Sequence, residues 1–105
     1  MTETEFNTLV DAMLRRIEDA LEASGLDLEF ETVSGILTIE FEDGSKVIVN
    51  RQTPNREIWV AAKSGGFHFR KEGDAWVDTR GGEPLLALLD DVVSKQAGTA
   101  ANLGF

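Results

Sequence analysis

The sequence predicts an α+β fold: a two-layer α-β sandwich with two terminal helices on one face of an antiparallel sheet of about five to six strands. Three observations predict it. Apolar residues recur at three- and four-residue spacing at both ends of the chain, as on one face of a helix. Between the ends, apolar and polar residues alternate, as on a strand with one buried face. The alternating runs are separated by turn signals too short for a parallel crossover, so neighbouring strands run antiparallel and the helices are left to cover one sheet face.

Residues 4–23 (TEFNTLVDAMLRRIEDALEA) read as the first helix, with Phe6, Leu9, Val10, Met13, Ile17 and Leu21 as its apolar face. Thr4 is its expected N-cap and Gly25 its left-handed C-cap. Asp11, Arg15, Glu18 and Glu22 form a stripe away from that face, with Asp19 beside it. DLEFETV and ILTIEFE then alternate with period two, placing Leu28 and Phe30, then Leu37, Ile39 and Phe41, on one side. Asp43-Gly44 is a strong short hairpin signal before Lys46–Asn50. Thr53-Pro54-Asn55 turns the chain into Arg56–Ala62, and Ser64-Gly65-Gly66 turns it into a strand carrying Phe67, His68 and Phe69. AWVD is a sixth short strand. Glu83–Ala97 reads as the second helix, with Pro84 in its first turn and Leu85, Leu88, Leu89 and Val92 facing the core.

The 105 residues suit a single domain, 1–105, with about 99–105 as a loosely held tail. The chain has no cysteine, which excludes disulfides, thiolate zinc sites, cysteine-ligated clusters and a thiol nucleophile. No apolar run approaches a membrane span. MTETEFNTLV carries acids and no Lys or Arg, unlike a signal or transit sequence. A cytoplasmic protein is expected. Residues 1–43 hold twelve Asp/Glu against Arg15 and Arg16, a net of −10; residues 44–105 hold seven acids against eight bases, a net of +1. Such a field repels nucleic acid and anionic lipid and attracts metal cations and basic protein surfaces.

In Arg56–Ala62 the uniformly apolar parity is Ile58, Val60 and Ala62. Trp59 therefore falls on the uncovered face with Glu57 and Ala61. An indole there is either packed against cross-strand neighbours or a protein contact. His68, the one histidine, reads as a surface or edge-strand residue, and Trp76 as structural. Gly65-Gly66 and Gly81-Gly82 are turns, since neither forms a phosphate loop with a Lys and a hydroxyl. Asp90-Asp91 read as a solvated face. The acids are too flatly arranged for a glycosidase pair.

The order helix, sheet, helix, the acidic first helix, and the stretches FEDGSKVIVNRQ, IWVA, GGFHF and Trp76-Val-Asp together resemble the frataxin family, in its bacterial branch, over nearly the whole chain. The resemblance implies the sandwich already described. It also implies an iron-binding protein acting on iron–sulfur cluster assembly, with the cysteine desulfurase and the iron–sulfur scaffold protein as partners. The metal positions it implies are Glu18, Asp19 and Glu22 on the helix and Asp27, Glu29 and Glu31 on the first strand. The partner positions are Glu18, Asp19, Glu22, Asn50, Gln52 and Trp59. The chain departs from the family in the loop Ala23–Leu26, which lacks the aspartate run some bacterial members carry, and at Asn7, where some place a histidine.

Carboxylates are hard donors suited to ferrous or ferric iron and equally to competing divalent cations. Glu18 and Glu22, one turn apart, can share an ion, and binding is expected to be exposed, weak and exchangeable. Without the resemblance, the same acids read as a solvated face. Three functions follow. The favoured one is a non-enzymatic, iron-responsive regulator docking on the desulfurase. The second is an iron chaperone, store or ferroxidase-like protein that oligomerises with metal. The third is a plain docking module. A monomer is expected by default, with metal-driven oligomers under the second reading.

Overall fold

The computed structural model describes residues 1–104. Its element order is α1 (Glu3–Ser24), β1 (Leu28–Val33), β2 (Ile36–Phe41), β3 (Lys46–Gln52), β4 (Glu57–Ala62), β5 (Gly65–Glu72), β6 (Ala75–Asp78) and α2 (Leu85–Ala97). The six strands form one antiparallel meander in sequence order. The two helices share one hydrophobic core with the inward parity of the sheet: Leu37, Ile39, Phe41, Val47, Val49, Ile58, Val60, Phe69 and Trp76. Trp76 is buried and meets Phe6 edge-on, with ring centroids 6.0 Å apart.

The N-cap of α1 lies two residues before the expected one. Thr2 is the N-cap: its hydroxyl accepts from Glu5 N at 3.0 Å, and Glu5 Oε1 accepts from Thr2 N at 3.0 Å. This reciprocal capping box needs Glu or Gln three residues after the cap. Thr2 has Glu5 there, whereas Thr4 has Asn7. The buried stripe is Phe6, Val10, Leu14, Ile17 and Leu21. Leu14 replaces the expected Leu9 and Met13: from Phe6 the buried positions step by four, four, three and four residues along one face. Leu9 is left 37% exposed and Met13 on the flank. Gly25 closes the helix at φ 72°, in the left-handed region.

β1 and β2 form a two-residue hairpin. Ser34 and Gly35 both have positive φ (52° and 77°), and Val33 pairs with Ile36. α2 begins at Leu85, two residues later than expected. Glu83 O accepts from Asp78 N at 2.9 Å, and Pro84 bridges Val77 in an extended conformation (ψ 142°), so both are spent on β6. The tail, expected to be loosely held, is instead docked at Ala101 and Leu103, which are buried in the core cluster. Gly98 turns the chain back at φ 75°; Ala101 N then donates to Ser94 Oγ at 2.9 Å and Leu103 N to Asp90 Oδ1 at 3.1 Å. Phe105, also counted in that tail, lies outside the described residues.

Candidate metal and partner surface

The acidic positions divide into three neighbourhoods. Glu18 reaches from α1 to β1, where Thr32 Oγ1 donates to its Oε2. Asp19 and Glu22 are exposed beyond it. Glu22 lines a shallow depression with Glu29, Glu31 and Glu40 and with Leu28, Phe30 and Thr38. Asp27, just before β1, lines a second depression with Glu29, Glu40 and Glu42. Among the described residues, no three His, Cys, Asp or Glu side chains converge in an arrangement that could hold a metal ion.

Glu40 is the ridge residue that sequence reasoning missed. Counting back from Val33 and forward from Ile36 brings Glu29 directly opposite Glu40. The signal was present in the Ser34-Gly35 turn. Like charges facing each other across a strand pair repel. Lys46, opposite Glu40 on β3, offsets part of that repulsion.

Arg51 fastens α1 to the sheet. It points toward the helices, and its Nη1 donates to Asn7 Oδ1 at 2.9 Å while Nη2 pairs with Asp11. Asn7 is thus engaged by an arginine. The guanidinium lies against Gly35: a Cβ there would come within 3.0 Å of Arg51 Nε.

The opposite sheet face carries a row in register, Ile36–Asn50–Trp59–His68, across β2 to β5. Trp59 is half-buried, and its ring stacks on His68 with centroids 4.2 Å apart and planes 10° from parallel. Its Nε1–H donates to Glu57 Oε1 at 2.8 Å. Glu57 is only 6% exposed, and its other oxygen accepts from Arg70 Nη2 at 3.2 Å. Gln52 pairs with Glu57 in the same register. Sequence reasoning placed Trp59 and Glu57 on this face but missed that the carboxylate is buried. Adjacent parity shows the shared face; a bond between residues two apart depends on rotamers.

Two carboxylates titrate below their ordinary range. Glu5 does so because it accepts the Thr2 backbone N–H and bonds its side chain; Asp43 does so because it accepts the Ser45 hydroxyl and backbone N–H. Both belong to local caps and turns. No helix among the described residues is long and apolar enough to cross a membrane.

Residues 1–99 match the family model described as "Frataxin-like domain". The iron-sulfur cluster assembly protein CyaY of Cupriavidus pinatubonensis is 48% identical over 108 residues, covering 99% of this chain and 97% of that protein. The CyaY protein of Vibrio cholerae is 48% identical over 97 residues, covering 92% and 93%. Among solved structures, frataxin from Psychromonas ingrahamii superposes with a TM-score of 0.93 at 32% identity, covering both chains completely. Trimeric yeast frataxin complexed with ferrous iron superposes at 0.71 with 28% identity, covering 94% of this chain and 88% of the yeast one. The chain belongs to the frataxin-like family, as a bacterial frataxin homologue.

Proposed function

We propose that this protein is a non-enzymatic regulator of iron–sulfur cluster assembly in the cytoplasm. In this reading it holds ferrous or ferric iron as exchangeable cargo on the α1–β1 ridge and docks on the cysteine desulfurase, and so on the complex that includes the iron–sulfur scaffold protein. The observation that carries it is the union, on one frataxin scaffold, of an acidic ridge with an aromatic patch on the open sheet. Glu18, Asp19 and Glu22 on α1, with Asp27, Glu29 and Glu31 on β1, supply only oxygen donors, which suit iron and admit other divalent cations. The opposed Glu29 and Glu40 gain from a shared cation, since it removes their repulsion. Bound metal lowers the negative charge that a basic partner meets, which gives a route from iron level to partner affinity. Asn50, Gln52 and Trp59 complete the docking surface.

The test is desulfurase affinity of the triple variant Glu18→Gln, Asp19→Asn, Glu22→Gln across a salt series. The expected result is weaker binding with a shallower salt dependence. Unchanged binding would overturn the docking role of the ridge. A second reading, metal-driven assembly into a store, is favoured by the trimeric, ferrous-complexed yeast relative. Sedimentation during aerobic iron addition tests it: growth into trimers or larger species with oxygen consumption supports storage, and a persistent monomer opposes it.

A further inference from the structure

The open face contains one arrangement the docking reading leaves unexplained. Glu57 is a carboxylate buried at the first position of the central strand β4, where β-branched or aromatic residues fit better. Burying a charge costs free energy unless it is paired and hydrogen-bonded. Among the described residues, neither oxygen bonds to the backbone. One accepts the Trp59 indole N–H at 2.8 Å and the other the Arg70 guanidinium at 3.2 Å. The indole is then held from two directions: Glu57 fixes its edge, and His68 stacks at 4.2 Å on its face. An aromatic ring on an open sheet ordinarily samples several rotamers, and a partner must freeze it on binding.

We propose that Glu57 is a positioning residue for the docking face, one that locks the Trp59 ring in its partner-ready orientation before any partner arrives. The proposal rests on the reading that Trp59 contacts the desulfurase. It differs from a structural role in acting through one side chain. Arg70 supplies the counter-charge from an exposed position, its side chain 64% accessible. The acceptor oxygen facing the indole is therefore the part that matters, and glutamine can reproduce it.

The experiment compares Glu57→Ala and Glu57→Gln by NMR of the free protein and by affinity for the same organism's cysteine desulfurase. In Glu57→Ala the Trp59 Nε1–H resonance should move upfield, and the ring-current shifts of the His68 ring protons should shrink. Affinity should fall about fivefold, the cost of ordering one large side chain. Glu57→Gln should restore both signatures. In a Trp59→Ala background, Glu57→Ala should have no further effect on affinity. Unmoved indole and His68 resonances in Glu57→Ala would overturn the positioning role, as would an equal affinity loss with and without Trp59. If Trp59→Ala alone binds like wild type, the docking reading fails; the resonances of free Glu57→Ala still decide whether Glu57 holds the ring.

Discussion

Replacing Arg51 separates what a buried arginine contributes through its stem from what it contributes through its charge. The side chain is 19% exposed and bridges β3 to α1. In Arg51→Ala the bond to Asn7 is lost, worth about 1.5 kcal/mol for a charged donor. The Asp11 pair adds only about 0.5 kcal/mol, since the Asp11 side chain is 67% exposed. Removing the largely buried methylenes costs about 1.5 kcal/mol more. Against these, Arg51 Nε is buried without a hydrogen-bond partner among the described residues, and deleting it returns about 1 kcal/mol. Arg51→Ala should therefore destabilise by about 2.5 kcal/mol and Arg51→Met, which keeps the stem, by about 1 kcal/mol. Urea unfolding reads both as shifts of the midpoint at unchanged slope. Equal losses for Ala and Met would refute the division between stem and charge. Losses under about 0.5 kcal/mol for both would refute the claim that Arg51 ties α1 to the sheet.

Truncating the docked tail with Leu103→Ala should cost about 2 kcal/mol, visible as a lowered thermal midpoint, because the residue is buried at the edge of the core. Glu5→Gln should make the stability difference from wild type pH-dependent. The folded Glu5 carboxyl lies below its ordinary value of 4.5, so its contribution is complete above that value and is lost as pH falls through the folded value. Chemical denaturation in steps from pH 6 toward pH 3 should show the two proteins converging on the acid side; a constant gap would contradict the capping box as its source. Glu40→Gln should reduce manganese-induced broadening of the Glu22, Glu29 and Glu31 amides and slightly raise metal-free stability. Glu83→Gln, which lies beside β6, should do neither.

Most of the layered fold was legible because the two periodicities are strong. Alternation marked the inward parity of β2, β3 and β4 and put Trp59 on the other face from Ile58 and Val60. The errors lie where periodicity is silent. The α1 boundary turned on a side-chain reciprocity between Thr2 and Glu5. The start of α2 turned on a bridge from Pro84 to Val77, which depends on where β6 ends in space. The tail reads as mostly small and polar residues, and its docking comes from two buried side chains, Ala101 and Leu103, and from the acceptors Ser94 and Asp90 on α2, which lie in space and not in any local pattern. The surface shows the same divide. Acidic composition and alternation placed the acids on α1 and β1, and the Ser34-Gly35 hairpin carried the register that adds Glu40. The Arg51–Asn7 bond joins residues 44 apart, and the burial of Glu57 depends on a rotamer, so neither leaves a pattern in the chain.

The most direct test of the regulatory reading is an anaerobic amide NMR titration of this protein with the same organism's cysteine desulfurase, with and without ferrous iron. The account predicts that signals from Glu18 to Glu31 and from the Trp59 strand shift or broaden on adding the desulfurase, and that iron changes the apparent affinity. A spectrum untouched by the desulfurase in both conditions would contradict it.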